Sequence, residues 1–178
     1  MFKKRRTIIF LIFIGIFSAA YSIGTESKIS VDESKEFLKE FQQAVEGINA
    51  MGIFAHNTSV ALPMFIPGFG VAWGAFAAWS TGVAFHALVS TTPMLAQLPP
   101  LAILYLSPFG VMELVAYSIG MSRSFLLINS IIKKHPLRNE LRQTAIEIGI
   151  VVALLLAAGF IEYFMIQQFG STITTPKP

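Results

Sequence analysis

The chain has no cysteine, and between Glu46 and Glu113 it has no Lys, Arg, Asp or Glu for 66 consecutive residues. The first absence removes disulfides, thiolate metal ligands and a sulfur nucleophile. The second removes the charged face that a water-soluble domain of 178 residues needs. Charged residues make up only 13% of the chain, against about 25% in ordinary soluble domains, while 54% is apolar. A large water-facing domain is thereby excluded. No G-x-S-x-G, H-E-x-x-H or P-loop pattern is present, so the familiar hydrolase, metalloprotease and nucleotide-binding signatures are absent. Neither a resident cofactor nor a catalytic or metal site is expected.

The uncharged stretch far exceeds one span, which takes about 20 residues for a hydrocarbon core about 30 Å thick. Pro and Gly break it at intervals that suit several crossings, and an all-α, polytopic membrane bundle follows. Its charges are segregated. Lys3, Lys4, Arg5 and Arg6 form one basic cluster, and Lys133, Lys134, Arg138 and Arg142 another. Six of the ten acids lie between Glu26 and Glu46. Basic clusters that flank apolar spans mark cytoplasmic ends rather than nucleic-acid contacts.

Five spans are expected, at about 7–24, 50–66, 69–90, 108–132 and 143–167, in a single membrane domain. The N-terminus then lies in the cytoplasm and the C-terminus outside the cell membrane. The first span reads as an uncleaved anchor; the alternative is a signal peptide cut near Ser18-Ala19-Ala20. Pro63, Pro67, Gly68 and Gly70 mark a tight cytoplasmic reversal. Gly70 and Gly74 form a G-x-x-x-G pair suited to close helix packing within the bundle. Pro93, Pro99, Pro100 and Pro108 bracket a run too short to cross, so 91–107 reads as a re-entrant or interfacial segment.

One soluble element is expected, an extracytoplasmic amphipathic helix over 30–49. Ser30 and Glu33 have capping-box spacing. Phe37, Leu38, Phe41, Val45 and Ile48 then recur at helical intervals among charged residues. This face either rests on the membrane or bundle, or docks a partner through Phe37, Phe41 and Val45.

Depth sorts the polar residues within the spans. At about 1.5 Å per residue, Asn57, His86, Glu113 and Glu162 fall in the outer third of four spans, while Arg123 and Glu147 lie towards the cytoplasm. An ionisable group in lipid costs roughly 2.5–3.5 kcal/mol, so partners are expected: an inner pair Arg123–Glu147 and an outer cluster Asn57–His86–Glu113–Glu162. Arg123 has an alternative, reaching out to cytoplasmic phosphates. Two nearby carboxylates, Glu113 and Glu162, also suit a proton or cation site. His86 with Glu113 is the one pair that could serve as acid and base.

Several of these residues form a pattern that resembles the stage II sporulation protein M family. His56-Asn57 resembles the Asn-bearing entry to that family's second span, and Gly68, Gly70 and Gly74 its glycine-rich hairpin. Thr81-Gly82 lies where Asn-Gly is typical. Ser107 to Glu113 resembles a Pro-His-Gly-x-x-Glu signature, and Ala158 to Glu162 a closing Glu-bearing span. The likeness runs from about residue 36 onward, with Phe109 and Thr81 replacing the family's His and Asn. The resemblance implies a small five-helix membrane scaffold, which in spore formers recruits extracytoplasmic wall-remodelling proteins during engulfment. The functions to be weighed are a scaffold or accessory subunit with membrane or extracytoplasmic protein partners, a small transporter, and an intramembrane enzyme. A homo-oligomer is open.

Overall fold

The computed structural model describes residues 2–27, 30, 32, 33, 36, 39, 47–91 and 99–173. Among the described residues every regular element is helical: α1 (Phe2–Thr25), α2 (Ala50–Ala61), a 3-10 turn (Leu62–Phe65), α3 (Phe69–Thr91), α4 (Pro100–Leu106), α5 (Pro108–Ile132) and α6 (Arg138–Ile173). α5 runs opposite to α1, α3 and α6, so the start of α1, the end of α5 and the start of α6 share one end of the bundle.

Among the described residues three helices are long and apolar enough to cross a membrane: Lys4–Thr25, Pro108–Ile132 and Glu140–Gln168. α3 has 23 residues, enough length for about 34 Å of rise, but its Trp, Ser, Thr, Gly and His residues dilute its hydropathy. α2 and the 3-10 turn after it are shorter still. The structure thus gives three candidate spans where five are expected. The outer faces suit lipid: Ile8, Leu11 and Ile12 on α1 and Phe160 and Phe164 on α6 are all more than half exposed. A water-facing surface would not carry so much contiguous apolar area.

Helix boundaries follow the local sequence. The Asn49 side chain accepts a hydrogen bond from the Gly52 N–H (2.9 Å) and starts α2. Ser107 does the same for the Gly110 N–H (3.1 Å), with Pro108 in the first turn of α5, where its missing N–H costs nothing. Between α2 and α3, Pro63 tightens the chain into the 3-10 turn and Gly68 takes φ +78°, a left-handed conformation open to glycine. That reversal matches the turn expected from Pro63, Pro67 and Gly68. A carbonyl released where α2 tightens, that of Val60, accepts from the Trp73 indole N–H at 2.9 Å.

α5 is the central helix: over half of its apolar stretch is buried, about twice the share in α1 and α6. Its small residues Ala116, Ser118, Gly120, Ser122 and Ser124 let neighbours approach closely, as packing in lipid requires. α1 presents Phe13, Phe17 and Tyr21 at four-residue spacing into the core. Their rings meet Phe125, Tyr117 and Phe85 at 5.8, 5.6 and 6.3 Å between centroids. α1 lies along α3, and a side chain on Gly82 would strike the Tyr21 carbonyl while one on Gly24 would strike the Trp79 carbonyl. The two backbones therefore touch through Gly24 and Gly82. The G-x-x-x-G pair does something different: Gly70 makes room for the 3-10 turn at Met64, and Gly74 for the Met121 side chain of α5.

Within the segment 91–107, α4 docks on α1. The Tyr21 hydroxyl donates to the Pro100 carbonyl at 3.1 Å, and the Ser18 and Tyr105 hydroxyls lie 2.6 Å apart. Of the region 30–49, the capping box is seen. The Ser30 N–H donates to the Glu33 carboxylate (2.8 Å) and the Glu33 N–H to the Ser30 hydroxyl (3.2 Å). The expected docking residues Phe37, Phe41 and Val45 lie outside the described residues.

Candidate functional site

Two polar assemblies occupy opposite ends of the bundle. At the end distant from the N-terminus, α2 carries Asn57 and α5 carries Glu113, six residues after the Ser107 cap. The Asn57 side-chain amide donates to Glu113 Oε1 at 2.6 Å, and Asn57 is only 8% exposed. Glu162 of α6 lies within electrostatic range of both Glu113 and the buried Tyr117. Asn57 and Glu113 are thus in direct contact, and Glu162 on a third helix acts on Glu113 through space. His86 is directed elsewhere: its Nδ1 is 2.8 Å from the Thr25 carbonyl at the end of α1. The Thr25 carbonyl stands in the last turn of α1, where the helix's own ladder ends. His86 thus ties α3 to α1, and its hydrogen bond is not to Glu113.

The other end holds a denser network. Arg123 on α5 is 2% exposed. Its Nε and Nη2 donate to the two carboxylate oxygens of Glu147 on α6, at 2.7 and 2.6 Å. The fork-to-fork geometry gives both strength and fixed orientation. Its remaining nitrogen, Nη1, donates to Glu140 at 2.8 Å. Arg6 on α1 completes the network, donating through Nε to Glu147 (2.9 Å) and through Nη1 to the Ser122 hydroxyl (2.7 Å). Arg123 therefore does not reach out to phosphates. Buried in this way, its charge is answered by two acids, as low dielectric demands.

Sequence reasoning paired Arg123 with Glu147 but left out Arg6, Glu140 and Ser122. Signals for them existed. Arg6 is the last cation before the apolar run and so the deepest of its cluster. Glu140 precedes Glu147 by seven residues, which puts both on one helical face.

Residues 7–165 match the family model described as Stage II sporulation protein M. The chain belongs to the stage II sporulation protein M family. Among curated proteins and among solved structures nothing matches it. The family match begins at residue 7, so it takes in α1 as well as the stretch from about residue 36 that first suggested the likeness. This agrees with the place of Phe13, Phe17 and Tyr21 in the common core. Both acids in the family-like motifs, Glu113 and Glu162, belong to the cluster at the end distant from the N-terminus.

Proposed function

We propose that this member of the stage II sporulation protein M family is a five-pass scaffold or accessory subunit of a membrane complex and not an enzyme. The observation that carries the reading is how the intramembrane polar groups are used. Arg6, Arg123, Glu140 and Glu147 hold α1, α5 and α6 to one another, and Asn57 with Glu113 holds α2 to α5. Chemistry spent on fixing helices to helices builds a rigid platform. In this reading α2 with its 3-10 turn, and α3, supply the second and third crossings, sheltered by the more apolar helices around them.

Orientation follows from where the basic clusters come together. Arg5 and Arg6 from the N-terminus line the same cavity as His135 and Arg142 from the loop and start of α6. The excess of cations at that end supports a cytoplasmic position for it. The segment 26–49 and the C-terminus then face outwards. The partner is an extracytoplasmic or membrane protein that engages the apolar pattern of Phe37, Phe41 and Val45. Purification of the full chain in mild detergent should yield a stoichiometric companion that Phe37→Glu and Phe41→Glu release. A solitary, monodisperse protein indifferent to both substitutions would dismiss the scaffold.

A second reading, a proton or cation pathway, is favoured by the through-space coupling of Glu113 and Glu162 on neighbouring helices, with Asn57 bonded to Glu113. Reconstitution in liposomes separates the two. Ion flux abolished by Glu113→Gln, with folding intact, selects the pathway. Absence of flux in the unaltered protein selects the scaffold.

A further inference from the structure

At the basic end a half-open cavity of about 700 Å³ lies between the start of α1, the last turns of α5 and the start of α6. Its charged lining is Arg5, Arg6, Arg123, Arg142 and Glu140, with His135 at the connecting loop. Glu140 and the adjoining Glu147 are engaged by Arg6 and Arg123. Two carboxylates thus face four guanidinium groups. The surplus resides on Arg5 and Arg142, both exposed and neither in an ion pair among the described residues.

We infer that this cavity binds a phosphate-bearing anion, held between the Arg5 and Arg142 guanidinium groups. The fixed fork of an arginine matches phosphate oxygens two at a time. The Arg123 network supplies the rigid wall: because Glu147 and Glu140 neutralise it, it contributes shape without closing the site with competing carboxylates. Asn129 and Gln143 add uncharged polar groups to the lining, and Leu126 and Ile146 apolar ones. Such a mixed wall accepts a phosphate diester with its glycerol attached as readily as free phosphate. Both sources present the same group, and basic pockets between membrane helices on the cytoplasmic side bind anionic lipid headgroups in this way.

The test uses the purified full chain and compares retention of phosphatidylglycerol with that of phosphatidylcholine by native mass spectrometry. In parallel, inorganic phosphate is titrated while thermal unfolding is followed. About one phosphatidylglycerol per chain should be retained, with phosphatidylcholine lost. Arg5→Gln with Arg142→Gln should weaken retention on the order of tenfold or more, each cation contributing separately. Lys133→Gln with Lys134→Gln removes equal charge from outside the lining and should leave retention unchanged. Protection by inorganic phosphate, lost in the double arginine variant and without lipid retention, would support the same site with a soluble source. The proposal is overturned if neither probe binds, if phosphatidylcholine is retained equally, or if the lysine and arginine variants behave alike. Since Arg5 and Arg142 lie outside the helix-fixing network, the double variant should melt as the unaltered protein does. Loss of its fold would assign those arginines to structure and defeat the proposal.

Discussion

The side-chain amide of Asn57 reaches from α2 to the Glu113 carboxylate of α5 at 2.6 Å. A buried acceptor deprived of its donor costs about 1–3 kcal/mol, so Asn57→Leu should lower stability by that amount. Glu113→Gln keeps an oxygen acceptor for the amide and should cost less. Thermal unfolding in one mild detergent orders the two. Equal losses would show that the hydrogen bond is not what joins these helices.

Glu147 answers two guanidinium groups, one of them almost wholly buried. Its replacement by Ala should destabilise by up to about 3–5 kcal/mol, the usual cost of breaking a buried ion pair, less whatever Glu140 still supplies to Arg123 through Nη1. Removing Arg123 together with Glu147, as Met at both positions, should recover much of that loss. A double-mutant cycle on unfolding measures the coupling, and simple additivity would contradict the paired arrangement.

Two glycines on α1 should respond in opposite ways. A methyl group at Gly24 meets the Trp79 carbonyl, whereas at Gly15 nothing lies within 4 Å. Gly24→Ala, or Gly82→Ala across the same contact, should cost about 1–3 kcal/mol or more through overpacking. Gly15→Ala should be neutral or stabilise by up to about 1 kcal/mol through helix propensity. Melting temperatures of the three variants decide it.

Ser30 holds the Glu33 carboxylate below the usual glutamate range, first through its backbone N–H and then through its side chain. A depressed folded value means that the cap stabilises above the ordinary glutamate pKa and fades as pH falls through the lower, folded value. Titration of Glu33 by NMR should show the depressed value, and Ser30→Ala should raise it. A Glu33 that titrates like a free glutamate would remove the cap.

Local signals in this chain were strong, and pairwise ones were partly hidden. The cap at Ser30, the reversal at Pro63 to Gly68 and the start of α5 at Pro108 each depend on residues a few positions apart, so reading along the chain suffices. Arg123 and Glu147 could be matched because depth in the bilayer is a coordinate that the sequence supplies. Depth does not say which helices are neighbours. His86 and Glu113 share a level, yet His86 meets the end of α1. Gly24 and Gly82 carry no recognisable spacing because each lies on a different helix. Arg6 was hidden for another reason: a cluster of cations before an apolar run has a sufficient explanation in membrane orientation, which masks any second role.

The ion-pair network also sets an order for biosynthesis. Arg6 and Glu147 are separated by 141 positions, so α1 leaves the ribosome well before α6 and waits for it before its guanidinium is matched. Arg123 waits too, since Glu140 and Glu147 both lie on α6. A nascent chain that stops before α6 retains unmatched cations within the bilayer and offers a membrane protease a mark of incompleteness. Chains ended at residue 137 should therefore turn over faster in pulse-chase labelling than full-length ones, and Glu147 becomes the residue that closes assembly.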